Sequence, residues 1–239
     1  MFIGVGNPIP RIANLPGVSR PGGGGGGGGG GVTLPQIDNL YSYEFDGVGA
    51  YFDAGDSDTF SFGNGTDDSP FSISAWINMN DATRFRIVSK FNSTSNNEYI
   101  FTVSGSDLLT LNLYDESSGG FIGKKYSATL TSFQGQWIHV ACTYDGTSSS
   151  DGIKLYLNGL QVDNTPNDSG SYTAMENTTQ PLLIGQQAGT YSNGYMDEVA
   201  VFNTDLSADQ VQGIYNATTT GKTADLSSLS PVAWYRIGD

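Results

Sequence analysis

One cysteine and one histidine stand in the 239-residue chain, Cys142 and His139. A lone thiol forms no intrachain disulfide and no multi-cysteine zinc site, and a lone imidazole excludes a histidine-rich metal centre. Cys142 lies in a strand-like run and reads as a small buried apolar residue. Basic residues are also scarce: Lys plus Arg number 10 against 24 Asp plus Glu, a net charge of −14. So acidic a chain is a poor match for a phosphate backbone or an anionic bilayer, so no nucleic-acid partner and no membrane insertion are expected. No run approaches the roughly 20 apolar residues that span a bilayer. Residues 1–12 lack a basic start followed by an apolar run, so no secretory signal peptide is expected. The sequons at Asn64, Asn92, Asn177 and Asn216 then read as chance in an Asn/Ser/Thr-rich chain. Glutamate is rare as well, with Glu44, Glu98, Glu116, Glu176 and Glu198 against 19 aspartates (24 − 5). Aspartate favours turns where glutamate favours helices.

With no disulfides, stability must come from a core, and a chain that is 37% hydrophobic and 12% aromatic can supply one. The charge is unevenly placed. Residues 1–31 hold Arg11 and Arg20 and no acid, +2; the rest holds 8 bases (10 − 2) against 24 acids, −16. Residues 1–21 carry Pro8, Pro10, Pro16 and Pro21, which forbid a helix, among the apolar Ile3, Val5, Ile9, Ile12, Leu15 and Val18. This pattern fits an extended arm that becomes ordered against a partner. Gly22–Gly31 is an unbroken run of ten glycines. It spans roughly 17 Å as a coil and about 31 Å fully extended. A flexible spacer is one reading; polyglycine strands hydrogen-bonded between chains are the other. Residues 22–40 are thus tract and connector, 41–217 one domain, and 218–239 a tail.

From Tyr41 onward, short apolar runs alternate with Gly, Asn, Asp and Ser. Strands are expected at Tyr43–Phe52, Phe71–Met79, Phe85–Phe91, Tyr99–Val103, Leu108–Tyr114, Tyr126–Leu130, Trp137–Tyr144, Ile153–Leu157, Leu182–Ile184 and Tyr195–Phe202. One helix is expected at Leu206–Asn216, with Ser207 as N-cap and Gln210 completing a capping box. Ten short strands and one short helix make an all-β, antiparallel two-sheet sandwich. Alternation sets aliphatic residues inward and polar residues plus an aromatic outward. Phe71, Ile73, Ala75, Ile77 and Met79 thus oppose Ser72, Ser74, Trp76 and Asn78.

Seven segments then appear in order: Tyr43–Phe52, Phe71–Ile77, Ile87–Lys90, Gln136–Gly146, Ile153–Gly159, Leu183–Gly185, and Gly194–Phe202 with the helix after it. Together they resemble the laminin-G-like/concanavalin A-like lectin domains of the jelly-roll class. The Pro-rich arm, the polyglycine tract and the Ala224–Asp239 tail resemble virion proteins of tailed phages. The lectin-domain resemblance implies a calcium ion pinning the first strand's turn to the last strand, at Asp46 with the Gly47 carbonyl, and Asp197.

Related glucanases use a Glu-x-Asp-x-x-Glu strand, and no glutamate here sits in that spacing. Adjacent Asp197 and Glu198 should point to opposite faces of a strand and so cannot flank one glycosidic bond. His139 reads as sheet packing. No enzyme is expected. Sugar binding calls for aromatic faces with polar neighbours, and alternation offers Trp76, Tyr114, Tyr126, Trp137 and Tyr156; the ligand candidates are Trp76, Tyr114 and Tyr156. Loop residues Tyr191, Ser192 and Asn193 are a second set. The expectation is a non-enzymatic protein on the virion surface, held to other virion proteins by residues 1–31, forming a homotrimer and displaying a lectin-like domain to glycans. The alternatives are a decoration or fibre protein without a ligand, and a secreted, extracellular carbohydrate-binding module.

Overall fold

Phe71, Ile73, Ala75, Ile77 and Met79 point to one side of a nine-residue strand in the computed structural model, which describes residues 31–239. In chain order the strands are β1 Gln36–Asp38, β2 Tyr43–Asp46, β3 Phe52–Asp53, β4 Phe71–Met79, β5 Arg86–Lys90, β6 Tyr99–Val103, β7 Leu109–Asp115, β8 Gly120–Tyr126 and β9 Trp137–Tyr144. They continue as β10 Ile153–Leu157, β11 Leu160–Gln161, β12 Asn164–Pro166, β13 Leu183–Ile184, β14 Gln186–Gln187, β15 Thr190–Tyr191 and β16 Asn193–Phe202. The helix α1, Ala208–Ala217, precedes β17 Lys222–Ala224 and β18 Ala233–Tyr235.

Two antiparallel sheets pack face to face. The first runs β11-β10-β9-β4-β16-β18, with β2 also on β16; the second runs β12-β8-β7-β6-β5-β13-β3. The core lies between them. Ile73, Ile77, Val140 and Cys142 of the first sheet meet Phe101, Leu109, Leu111 and Leu113 of the second, all essentially without exposure. Cys142 is therefore a core residue, its thiol pushed up by burial. A second, smaller core forms on the other side of the first sheet. There Val211 and Ile214 of α1 pack on Ala141, Tyr156, Ala200 and Phe202. The helix starts where expected, because the Ser207 side chain accepts from the Gln210 N–H and the Gln210 side chain accepts from the Ser207 N–H.

The fold is the expected all-β sandwich with one short helix. Several elements depart from the sequence reading. The run Tyr43–Phe52 is two strands, because the Asp46 carboxylate accepts from the N–H groups of Val48, Gly49 and Ala50 and Gly47 takes φ +75°. The chain there crosses from the first sheet to the second. Tyr126 ends a strand rather than beginning one: β8 pairs with β7 from Asp115↔Gly120 back to Thr110↔Lys125, through glycines and lysines of weak strand preference. The connector supplies β1, which pairs with β17, and residues 233–235 add an edge to the first sheet. The arm and all but the last glycine of the tract lie outside the described residues.

Candidate functional site

The helix decides which sheet face stays open. It covers the outer side of the first sheet, so Trp76 is 2% exposed with its ring stacked on Tyr215 of α1, and Tyr156 is 1% exposed in the same layer. Neither ring offers a face to a sugar. Trp137 is buried too. His139 fills that layer with Ser74, 2.8 Å from its Oγ, and burial pushes its pKa down to about 3. It is a neutral packing residue, as expected.

The outer side of the second sheet carries Thr110, Asn112 and Tyr114 of β7, opposite the inward Leu109, Leu111 and Leu113. Tyr114 is paired with Phe121 on β8, and Phe91 flanks it from the end of β5; ring centroids are 4.7 Å (Phe91–Tyr114) and 5.4 Å (Tyr114–Phe121) apart. All three rings are half-buried, a continuous shelf rather than a sealed core. Asn112 lies beside the shelf, its Nδ2 donating to the Tyr114 hydroxyl at 3.3 Å and its Oδ1 accepting from Asn167 at 2.9 Å. Gly123 is opposite Asn112 and makes room for it: a Cβ there would stand 2.2 Å from Asn112 Oδ1. Arg86, on the next rows, gives Nη1 to Thr102 Oγ1 at 3.0 Å. Burial, then the neighbouring Arg84 charge, lower its pKa to about 10. Its charge is felt by the Tyr114 hydroxyl. Of the three ligand candidates, only Tyr114 sits on this face.

The loop set is divided. Ser192 is buried and bridges the Arg86 backbone, accepting from its N–H and donating to its carbonyl. Half-buried Tyr191 makes a tilted pair with the exposed Tyr51 at 6.0 Å, and Asn193 is exposed.

The implied calcium pair does not converge. Asp46 is opposite Asn193 on β16, and Asp197 lies four residues further on, about 13 Å along the strand. Asp197 is opposite Trp76, is 1% exposed and takes its own neighbour's N–H, from Glu198, at 2.8 Å. Its Oδ2 has no partner. These donors do not fit one shared ion, and among the described residues no three acidic, histidine or cysteine side chains gather to hold one. The two carboxylates at 197–198 do not oppose each other across the strand either. Glu198 has φ +52° and the register with β4 shifts there, so the pair is a bulge in which burial, then the Glu198 charge, raises the Asp197 pKa. Both side chains are buried, which closes them to a glycosidic bond.

A hollow that the sequence did not signal lies at the sandwich edge. It is about 580 Å³ and is lined by Tyr43, Phe52, Asp53, Trp234, Tyr235 and Arg236 among others. The guanidinium of Arg236 sits 5.8 Å from the Trp234 ring centroid and bonds Glu198 and Asp239, so its polar groups are largely engaged within the fold.

A laminin-G-type family model, described as the concanavalin A-like lectin/glucanases superfamily, matches residues 46–212, and the chain belongs to that family. The human adhesion G-protein coupled receptor D1 is 34% identical over 98 residues, 40% of this chain and 11% of the receptor. Among solved structures, a putative carbohydrate binding protein from Bacteroides ovatus superposes with a TM-score of 0.53 at 17% identity, covering 86% of this chain and 52% of that one. The botulinum neurotoxin serotype D binding domain gives 0.53 at 14%, covering 75% and 43%. The chain thus spans about half the length of these structures or less, and at such identities the likeness is one of fold.

Proposed function

We propose that the domain is a non-enzymatic glycan-binding module that takes sugar on the outer face of the second sheet. The observation that carries this is the Phe91–Tyr114–Phe121 shelf beside Asn112 and Asn167, on the face opposite the one α1 covers. A pyranose has apolar C–H faces and hydroxyl edges; half-buried rings take the first and carboxamides the second. Paired strands hold both kinds of group in place, so little ordering is left for the ligand to impose. Membership of a lectin-type family and the resemblance in fold to a putative carbohydrate binding protein support the same reading. Burial of Asp197 and Glu198 argues against glycoside hydrolysis there.

The proposal extends to assembly: residues 1–31 hold the module to other virion proteins, as a homotrimer displayed on the virion surface. The step from +2 to −16 at Gly31 supports that division of labour. A glycan array with the full chain tests the binding reading. Specific hits, lost in Tyr114→Ala with the melting temperature preserved, are expected; a blank array would leave a decoration protein without a ligand.

A further inference from the structure

Among the described residues, the face that carries the aromatic shelf also collects the cations left without an ion pair. Eight basic side chains fall within the described residues, and Lys90, Lys124, Lys154, Lys222 and Arg236 each form an ion pair with a carboxylate. The other three are Arg84, Arg86 and Lys125, and none of them forms one. The three also share a location. Arg86 is opposite Thr102, Thr102 opposite Thr110, and Thr110 opposite Lys125, one row running straight across β5, β6, β7 and β8. Three strand spacings set the two cations about 14 Å apart. Arg84 lies close enough to Arg86 to depress its pKa, and no carboxylate offsets it. The Arg86 Nε is buried without a hydrogen-bond partner, while Nη1 is held by Thr102.

Resting on the glycan reading above, we propose that the ligand is an acidic glycan whose carboxylate seats on Arg86, with its ring on the Tyr114 shelf and Lys125 serving a second charge further along the chain. A guanidinium is a planar fork that matches a carboxylate with two parallel hydrogen bonds. Thr102 fixes the fork before the ligand arrives, while Nε stays buried without a partner. A half-buried cation with no counter-charge is an unfavourable arrangement in the empty protein, and a bound anion relieves it. The strongly acidic remainder of the domain repels polyanions elsewhere and confines them to this row.

The test is affinity electrophoresis of the full chain through matched gels: polygalacturonate against its methyl ester, and a sialylated lactose polymer against the unsialylated one. Retention by an acidic member over its neutral partner is expected, weakened about tenfold in Arg86→Gln, less in Lys125→Gln, and reduced at about 0.5 M salt. The two pairs separate a uronate from a sialate as the source of the carboxylate. Melting curves of both variants, and Arg86→Lys, which keeps the charge and loses the fork, separate lost recognition from lost fold. Equal retention by acidic and neutral members, or acidic retention unchanged in both Arg86→Gln and Lys125→Gln, overturns the inference and leaves the glycan reading standing. No retention in any gel, together with a blank array, removes both.

Discussion

Trp234 Nε1 donates to Glu198 Oε2 across 2.6 Å, and this bond joins the end of the chain to a bulge in the middle of its longest strand. The same carboxylate accepts from Asn39 Nδ2 at 2.9 Å and Arg236 Nε at 3.3 Å. One edge of β16 is shared by two partners, β2 at residues 193–196 and β18 at 199–201, and Glu198 sits where one gives way to the other. A single buried acid therefore collects donors from both ends of the described chain and closes the sandwich edge.

Trp234→Phe keeps an aromatic ring, a smaller one, and removes the donor. A buried carboxylate that loses one of its donors costs about 1–3 kcal/mol. A lower urea midpoint with an unchanged m-value is the expected result. An unchanged midpoint would mean that water replaces the indole at no cost.

Burial, with the Glu198 charge second, raises Asp197 to about 8; burial raises Glu198 to about 7 against the donors that oppose it. Both acids thus hold protons in the folded state at a pH where the unfolded chain has released them. Unfolding then releases protons, so stability falls as pH rises from about 4 toward 8. His139 acts oppositely: folded it stays neutral to about 3, unfolded it takes a proton below its ordinary 6.5, so it removes stability as pH falls through that range. The two effects overlap below 6.5, which leaves 6.5–8 as the clean window for the acids. Denaturation midpoints should drop across that window, by up to about 1.4 kcal/mol per pH unit for each proton released. Asp197→Asn should flatten the drop.

Alternation in Phe71–Met79, Tyr99–Val103, Trp137–Tyr144 and Ile153–Leu157 was enough to place four strands to the residue, because each buries an apolar set in the core between the sheets. The capping box at Ser207 was equally local and equally legible. Alternation names a side of a strand but not what lies on it. Trp76 and Tyr114 occupy the same place in the pattern, yet a helix far along the chain covers one and spares the other. Ala233–Tyr235 escaped notice because a three-residue edge strand has no period to detect and takes its register from the bulge at Glu198. Arg86 and Lys125 are visible in the sequence, but their lack of carboxylate neighbours is a property of the folded face.

Ser207→Ala should cost about 1 kcal/mol, the usual loss for an N-cap that satisfies a backbone donor. Gln210→Ala removes the return bond to the Ser207 N–H and should cost less, because that N–H is exposed to water. Equilibrium unfolding of the two variants and their double mutant measures the coupling, and additive losses would argue against a cooperative box.

Deleting residues 1–31 and deleting residues 1–40 should have opposite consequences for the domain. The connector is part of the fold: Leu34 is buried under α1, and β1 pairs with β17. The helix accommodates it through Gly213, where a Cβ would stand 2.7 Å from the Val32 carbonyl oxygen. Asn39 adds its bond to Glu198. A chain starting at Val32 keeps all of these and should unfold within about 1 kcal/mol of the full chain. A chain starting at Tyr41 loses a buried leucine, worth about 2–5 kcal/mol by itself, along with a strand and a buried hydrogen bond. Its melting temperature should fall by many degrees or its cooperative transition should disappear. If residues 1–31 serve attachment, the chain starting at Val32 should also fail to copurify with particles while remaining folded. Equal stability of the two truncations would remove the connector from the fold, and copurification by the shorter-armed chain would remove the arm from attachment.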